Sequence, residues 1–324
     1  MKKILIPLLA GLVLSCAQAP AQSQDSKEEK QRVKEQERDE RQKEKEAERR
    51  ERYQKEYPEQ AKEHITKEYA IKQSSAGMLA IYNLDGSVKV EGYAGDKVVI
   101  EIDKTISART TDILEQGKKE IKLGFEQIGD SVVAYILAPW DTRPHDWRDS
   151  YDWPERRRIE YRCKLEFTVK VPYNMNLRVS TVNDGDVTVK NVSGQLHVNN
   201  VNGAIAILNA KGTTHAHTIN GDLSVNYLSN PPESSTYYTL NGKLTATFQP
   251  NLSADFQFKS MNGAFFTDFP DVEMLAPTVT KNQEKKGDGT VYKMNKDTKM
   301  RIGAGGKQFK FETLNGNIYI KKQS

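Results

Sequence analysis

All three tryptophans fall within 14 residues, Trp140, Trp147 and Trp153, interleaved with Arg143, His145, Arg148, Tyr151 and the triplet Arg156-Arg157-Arg158. Flat rings cover sugar faces and guanidinium groups form paired hydrogen bonds to carboxylates, so this segment has the chemistry of glycan or peptide recognition. Trp140, Arg143, Trp147, Arg148, Tyr151 and Trp153 are the candidate ligand-contact set. The same composition also suits a loop whose rings only cover an end or flank of the fold. A second group is His197, His215 and His217. His197 and His215 stand 18 residues apart, each third after a glycine, Gly194 and Gly212. Three imidazoles on one face suit Zn²⁺ or Cu²⁺. No Cys or carboxylate joins them in the local pattern, so the expectation is no bound metal and no other cofactor.

Other chemistry finds less support. Gly303-Ala304-Gly305-Gly306 lacks the Lys-Ser/Thr ending of a phosphate loop and leads into strand-like sequence. Gly-x-Ser-x-Gly, His-Glu-x-x-His and Cys-x-x-Cys words are absent. The chain therefore reads as a non-enzyme.

The elements that must hold these residues are set by repeats. From Gly185 the glycines fall every nine residues, at Gly185, Gly194, Gly203, Gly212 and Gly221. The second and fourth residues after each are mostly apolar, as in Val187/Val189, Leu196/Val198, Ile205/Ile207 and Leu223/Val225, with Thr214/Ala216 the weak pair. That alternation is the half-buried strand pattern, so each unit reads as a strand plus a corner. A stricter word has about twice the period: Asn-Gly recurs at Asn202, Asn220, Asn241, Asn262 and Asn315, in steps of 18, 21, 21 and 53 residues. Four copies sit in Thr218-Ile-Asn-Gly221, Thr239-Leu-Asn-Gly242, Ser260-Met-Asn-Gly263 and Thr313-Leu-Asn-Gly316, and Asn183-Asp184-Gly185 is a longer opening copy. One Asn-Gly between apolar runs suggests a hairpin. The same word in every copy instead suggests a coil whose equivalent residues stack about 4.8 Å apart, where asparagine amides can form ladders. The fold expected is all-β: a single-stranded, right-handed β-solenoid or β-helix.

The register extends upstream through Gly86 and Gly95, so the first coils are expected near Met78. Residues 107–120 read as a helical or irregular excursion, followed by strands at 131–137 and 163–171. The 53-residue step holds Pro270 and Pro277 and reads as a long loop, after which the strand 309–320 is expected to cap the stack.

The N-terminal part is different. Met1-Lys2-Lys3 followed by the apolar run Ile4–Leu14 has the form of an export signal, too short to span a bilayer. Val13-Leu14-Ser15-Cys16 resembles a bacterial lipobox, making Cys16 the expected lipid attachment site; cleavage after Ala19-Pro20-Ala21 is the competing reading. Two acyl chains would hold the protein on a membrane. Cys163 then remains alone, leaving no internal disulfide. Residues 25–56 carry 12 acidic and 12 basic side chains and only three apolar ones, so they cannot bury a core. Pairs such as Glu37/Arg41 and Glu48/Arg52 favour helix, without the apolar seam of a coiled coil. The divisions expected are a signal peptide at 1–15, a charged helical or disordered spacer at 16–64 and a β-solenoid at 65–324. The whole chain carries 48 Lys+Arg against 44 Asp+Glu, and nothing in that balance argues for nucleic acid.

Residues 173–269 and 309–321 resemble the putative-adhesin β-solenoids of bacterial envelopes, whose repeated word is Thr-φ-Asn-Gly-Asp-φ, φ being apolar. Val182-Asn-Asp-Gly-Asp-Val187 and Phe311-Glu-Thr-Leu-Asn-Gly-Asn-Ile318 are the nearest words. The resemblance implies a right-handed solenoid and a non-catalytic role at a surface or in the periplasm, with no catalytic residues to carry over. Partners expected are a membrane, through the lipid, and a glycan or cell-surface protein. The locations expected are a membrane-anchored lipoprotein of the envelope or, alternatively, a secreted or periplasmic protein. A carbohydrate-active β-helix enzyme, a polysaccharide lyase or hydrolase, is the alternative function, because such enzymes gather Asp, Arg and Lys from separate coils. No acidic pair recurs at stacking distance to favour it.

Overall fold

Alternating burial follows the nine-residue register strand by strand in the computed structural model, which describes residues 44, 48, 51–138, 142–143, 159–286 and 289–323. The strands from the N-terminus are β1 (Glu59–Ala70), β2 (Met78–Tyr82), β3 (Val88–Tyr93) and β4 (Lys97–Ala108), then, after helix α1 (Thr111–Glu120), β5 (Lys122–Ile128), β6 (Ser131–Ala138) and β7 (Tyr161–Pro172). The repeat region supplies β8 (Asn176–Ser180), β9 (Val187–Lys190), β10 (Leu196–Asn199), β11 (Ile205–Ala210), β12 (Thr214–Asn220), β13 (Leu223–Tyr227), β14 (Ser235–Asn241) and β15 (Leu244–Phe248). Last come β16 (Ala254–Asn262), β17 (Phe265–Thr267), β18 (Val272–Lys286), β19 (Gly289–Ile302), β20 (Lys307–Asn315) and β21 (Ile318–Lys322). Residues 51–56 are helical and belong to a separate unit that ends at Glu56.

The all-β expectation holds, in the form of two large open sheets. Sheet 1 has ten strands in the order β1-β4-β7-β3-β9-β11-β13-β15-β21-β17. Sheet 2 has eleven, in the order β18-β19-β16-β20-β14-β12-β10-β8-β2-β6-β5. From β8 to β15 the chain alternates between the sheets, and each strand from β8 to β13 pairs in parallel with the strand two further on. One nine-residue unit is thus a strand in one sheet and the corner to the other; two units make a coil. Between the sheets lie Val187, Leu196, Ile205 and Leu223, with Phe309 and Phe311 further along, all essentially inaccessible to solvent. Burying each such side chain contributes about 1.5–3 kcal/mol. Where the pattern weakens, at Thr214 and Ser235, polar groups find partners inside: Thr214 N–H donates to Ser235 Oγ at 3.1 Å, and the buried Tyr227 and Tyr237 hydroxyls lie 2.5 Å apart.

The Asn-Gly corner has three fixed parts. Its asparagines form a continuous ladder, Asn202 donating to Asn183, Asn220 to Asn202, Asn241 to Asn220, Asn315 to Asn241 and Asn262 to Asn315, at 2.7–3.0 Å. The residue two before each Asn turns inward: Thr218 Oγ1 donates to Gly203 O and Thr239 Oγ1 to Gly221 O, both at 2.8 Å. The glycines are needed for closeness: a Cβ on Gly203, Gly221, Gly242, Gly263 or Gly316 would lie under 3.0 Å from the carbonyl oxygen of the neighbouring coil's glycine. The positive φ of a hairpin Asn-Gly is not used there; the extra residue of the opening copy, Asp184, takes it instead, at φ 51°.

The two ends depart from a simple progression. The C-terminal strands do not cap the stack: β20 lies between β14 and β16, and β21 between β15 and β17. The reason is register, since Thr313-Leu-Asn-Gly316 matches both flanking copies and its Asn315 bonds to Asn241 and Asn262. The 53-residue step contains the antiparallel hairpin β18–β19 instead of a bare loop. At the other end β2 and β3 are likewise interior, between β8–β9 and β6–β7. Their outer neighbours take antiparallel strands, β5 on β6 and β4 on β7, with β1 on β4. The excursion at 107–120 is α1, with Thr110 at its N-cap accepting from Ile113 N–H, and the strands expected near 131–137 and 163–171 are β6 and β7. A domain start at residue 65 falls inside β1, which pairs from Glu59 onward; the charges along this edge strand disguised it as spacer. Cys163 is a free, buried thiol, pushed up to about 12 by burial.

Candidate functional site

Of the aromatic and arginine set only Arg143 lies among the described residues; Trp140, Trp147, Arg148, Tyr151 and Trp153 lie outside them, as does Cys16. Arg143 is held by the sheet. Its Nη1 lies 3.0 Å from Glu126 Oε1 and its guanidinium 4.1 Å from the centre of the Tyr135 ring, while the Tyr135 hydroxyl donates to the same carboxylate at 2.6 Å. Beside it Thr142 Oγ1 donates to Tyr82 O at 2.7 Å and accepts from Ile136 N–H at 2.9 Å. Thr142 and Arg143 are thus tied to the C-terminal half of β6 and to its neighbours β2 and β5.

The histidines stand where the register places them. His197 on β10 pairs with His215 on β12, and their rings stack with centroids 4.9 Å apart and planes at 26°. His215 Nδ1 lies 2.8 Å from Thr236 Oγ1 on β14, which fixes the ring. His217, two residues along, packs against Tyr238 at 4.6 Å. Burial, then the charge of His215 and that of Arg178, hold His197 below its ordinary value of 6.5; burial alone lowers His217. Among the described residues no group of three or more His, Cys, Asp or Glu is arranged to hold a metal ion. His197 and His215 share a column; His217 belongs to the next.

The parallel register completes these columns. One runs Arg178, His197, His215, Thr236, Lys310, across five adjacent strands. The next runs Ser180, Asn199, His217, Tyr238, Glu312, and ends on Lys259, which is ion-paired with Glu312. Sequence reasoning had the histidines but missed Arg178, Tyr238 and Lys310. The signal was present: Tyr238 follows His217 by 21 residues, the same step that separates Asn220 from Asn241. Strand pairing is needed to carry the column on to Lys310, because it arrives from the far end of the chain.

The fold is similar to that of a putative cell adhesion protein from Clostridium sporogenes, with 9% identity, a TM-score of 0.40 and coverage of 81% of this chain and 100% of that one. A putative adhesin from Bacteroides fragilis is similar at 12% identity and a TM-score of 0.35, over 81% of this chain and 98% of that one. No protein-family model matches the chain, and no curated protein matches it in sequence.

Proposed function

We propose that this chain is a non-catalytic envelope protein that presents a β-solenoid for adhesion or structural contact. The observation that carries the reading is the alignment of outward side chains in straight columns, one residue per strand at about 4.8 Å spacing, on coils locked together by the asparagine ladder. Such a face repeats its contacts along one direction and loses little conformational entropy on binding, which suits several weak contacts with an extended partner. The apolar run Ile4–Leu14 and the following Cys16 support export and a lipid anchor, and the charged residues 25–56 support a spacer between anchor and coils.

Two measurements test the reading. The full chain is applied to a glycan array and to cell surfaces, with a parallel assay for sugar release or cleavage; binding without product is expected, and product would transfer the chain to the polysaccharide lyases or hydrolases. Labelling with radioactive palmitate is expected in the wild type and lost in Cys16→Ser, and an unlabelled wild type would remove the lipid anchor.

A further inference from the structure

Inward side chains of the coils are dictated by packing, whereas outward ones are free to differ, and the two sheets use that freedom differently. Across the matching five strands of sheet 1 the column Thr188, Ala206, Ser224, Thr245, Tyr319 carries no charge. Across sheet 2 the corresponding run is Arg178, His197, His215, Thr236, Lys310. We propose that this face of sheet 2 binds an acidic polysaccharide, lying across the strands along the direction of stacking. The proposal deepens the adhesive reading above and rests on it.

Charge supports an acidic ligand. Among the described residues neither Arg178 nor Lys310 has an ion-pair partner, and the carboxylate beside them, Glu312, is taken by Lys259. Guanidinium pairs with carboxylate by two parallel hydrogen bonds, and each charge-assisted bond is stronger than a neutral one. The rings support a sugar: the stacked His197 and His215 adjoin the His217–Tyr238 pair, a row of ring nitrogens and a hydroxyl that can hydrogen-bond sugar hydroxyls. Spacing supports a polymer. Arg178 and Lys310 are four strand intervals apart, roughly 19 Å, so a ligand must be several residues long to reach both.

The face also makes binding pH-dependent. His197 is flanked by Arg178 on β8 and His215 on β12, and His217 by Tyr238 on β14, with the Glu312–Lys259 pair beyond. Partial burial, and then its neighbours His215 and Arg178, lower the pKa of His197 and so favour its neutral ring. A ligand carboxylate favours the imidazolium, so binding takes up protons and tightens as pH falls toward the ordinary histidine value.

The test measures binding of the full chain, carrying Cys16→Ser to remove the acyl chains, to polygalacturonate, neutral dextran, duplex DNA and anionic lipid vesicles, at about pH 5.5 and about pH 7.5. Polygalacturonate is expected to bind in preference to the other three, more tightly at the lower pH and more weakly as salt is added. Arg178→Gln is expected to weaken it about five- to tenfold, and His197→Gln with His215→Gln to reduce the pH dependence to what His217 supplies, both with unchanged melting temperature. Thr245→Gln on sheet 1 is the control and should change nothing. The inference is overturned if dextran, DNA or vesicles bind as well as polygalacturonate, or if the Arg178 and histidine variants fold and bind it like the parent. Binding to another glycan or to cells with polygalacturonate ignored would overturn this inference and leave the adhesive reading standing; binding to no glycan and no cell surface would remove both.

Discussion

Each coil of the repeat turns two corners, and they obey different rules. The Asn-Gly corner, leading from sheet 2 to sheet 1, has two residues between strands in four copies, at 221–222, 242–243, 263–264 and 316–317. The return corner has three residues after Ala210 and seven after Tyr227. That difference explains why the Asn-Gly step lengthens from 18 to 21: Leu223 to Ser235 spans 12 residues where Ile205 to Thr214 spans nine. At the first corner the glycine, the inward threonine and the laddered asparagine each touch the adjacent coil, and the one added residue, Asp184 of the opening copy, is accommodated at a positive φ of 51° with those contacts kept. The return corner begins under similar control, with Gly212 stacked on Gly194 and Asn209 donating to Asn191 at 2.9 Å. It escapes at 228–234, where the column of glycines ends and chain length becomes free to vary. A constraint borne by the neighbouring coil preserves a sequence word; one borne by solvent does not.

The sharpest way to break this contrast is Gly221→Ala. The new Cβ would meet Gly203 O well within van der Waals contact, and backbone is all it can push, so a loss of about 3 kcal/mol or more is expected in urea denaturation. One glycine inserted after Pro232, where residues 232–234 are exposed, should cost under about 1 kcal/mol, because it only lengthens a loop. If the two changes cost the same, the corners are equivalent after all.

Thr239→Val keeps the shape and deletes the buried donor to Gly221 O, and is expected to cost about 1–2 kcal/mol. Asn220→Ala removes two exposed ladder bonds, to Asn202 and from Asn241, for a loss of about 0.5–1.5 kcal/mol; Asn262→Ala, on the outermost coil, should cost less by the same measurement. Equal costs would mean that the ladder follows the stacking without contributing to it.

The smallest effect concerns Asp85, which occupies the asparagine place in the column beside Asn183. Burial raises its carboxyl above 3.8, partly offset by the hydrogen bond from Asn183 and the charges of Arg162 and Lys164, with Asp184 adding to the rise. The folded state therefore holds this proton more tightly than the unfolded one, and stability from this group is full below 3.8 and falls as pH rises through the folded value. Asp85→Asn should be slightly more stable than the wild type at neutral pH, with the gain vanishing toward pH 3.8 in paired melting curves. A variant less stable at pH 7 would show that the carboxylate is needed at that end of the ladder.

How much was legible follows the same division. The nine-residue glycines, the apolar alternation and the Thr-φ-Asn-Gly words gave strands, corners and the asparagine ladder, because every coil repeats the same contacts. The place of the last coil was not legible. Phe309 to Ile320 reads equally well as the end of the stack or as its interior, and only pairing with both β14 and β16 decides between them. β1 was hidden because Glu59, Lys62, Glu63, Lys67 and Glu68 give an edge strand the composition of the charged spacer.

The candidate site divides likewise. Spacing alone stacked His197 on His215, since an 18-residue interval is a local property of the chain. It could not add Lys310, which follows Thr236 by 74 residues, or separate His217 into its own column with Tyr238. The sequence by itself determined the period, the inward residues and the ladder, because these depend on contacts that recur between consecutive copies. The tertiary structure alone decided the order of the outer coils and the composition of the sheet 2 face, because hydrogen bonds between strands join residues by register, whatever their distance along the chain.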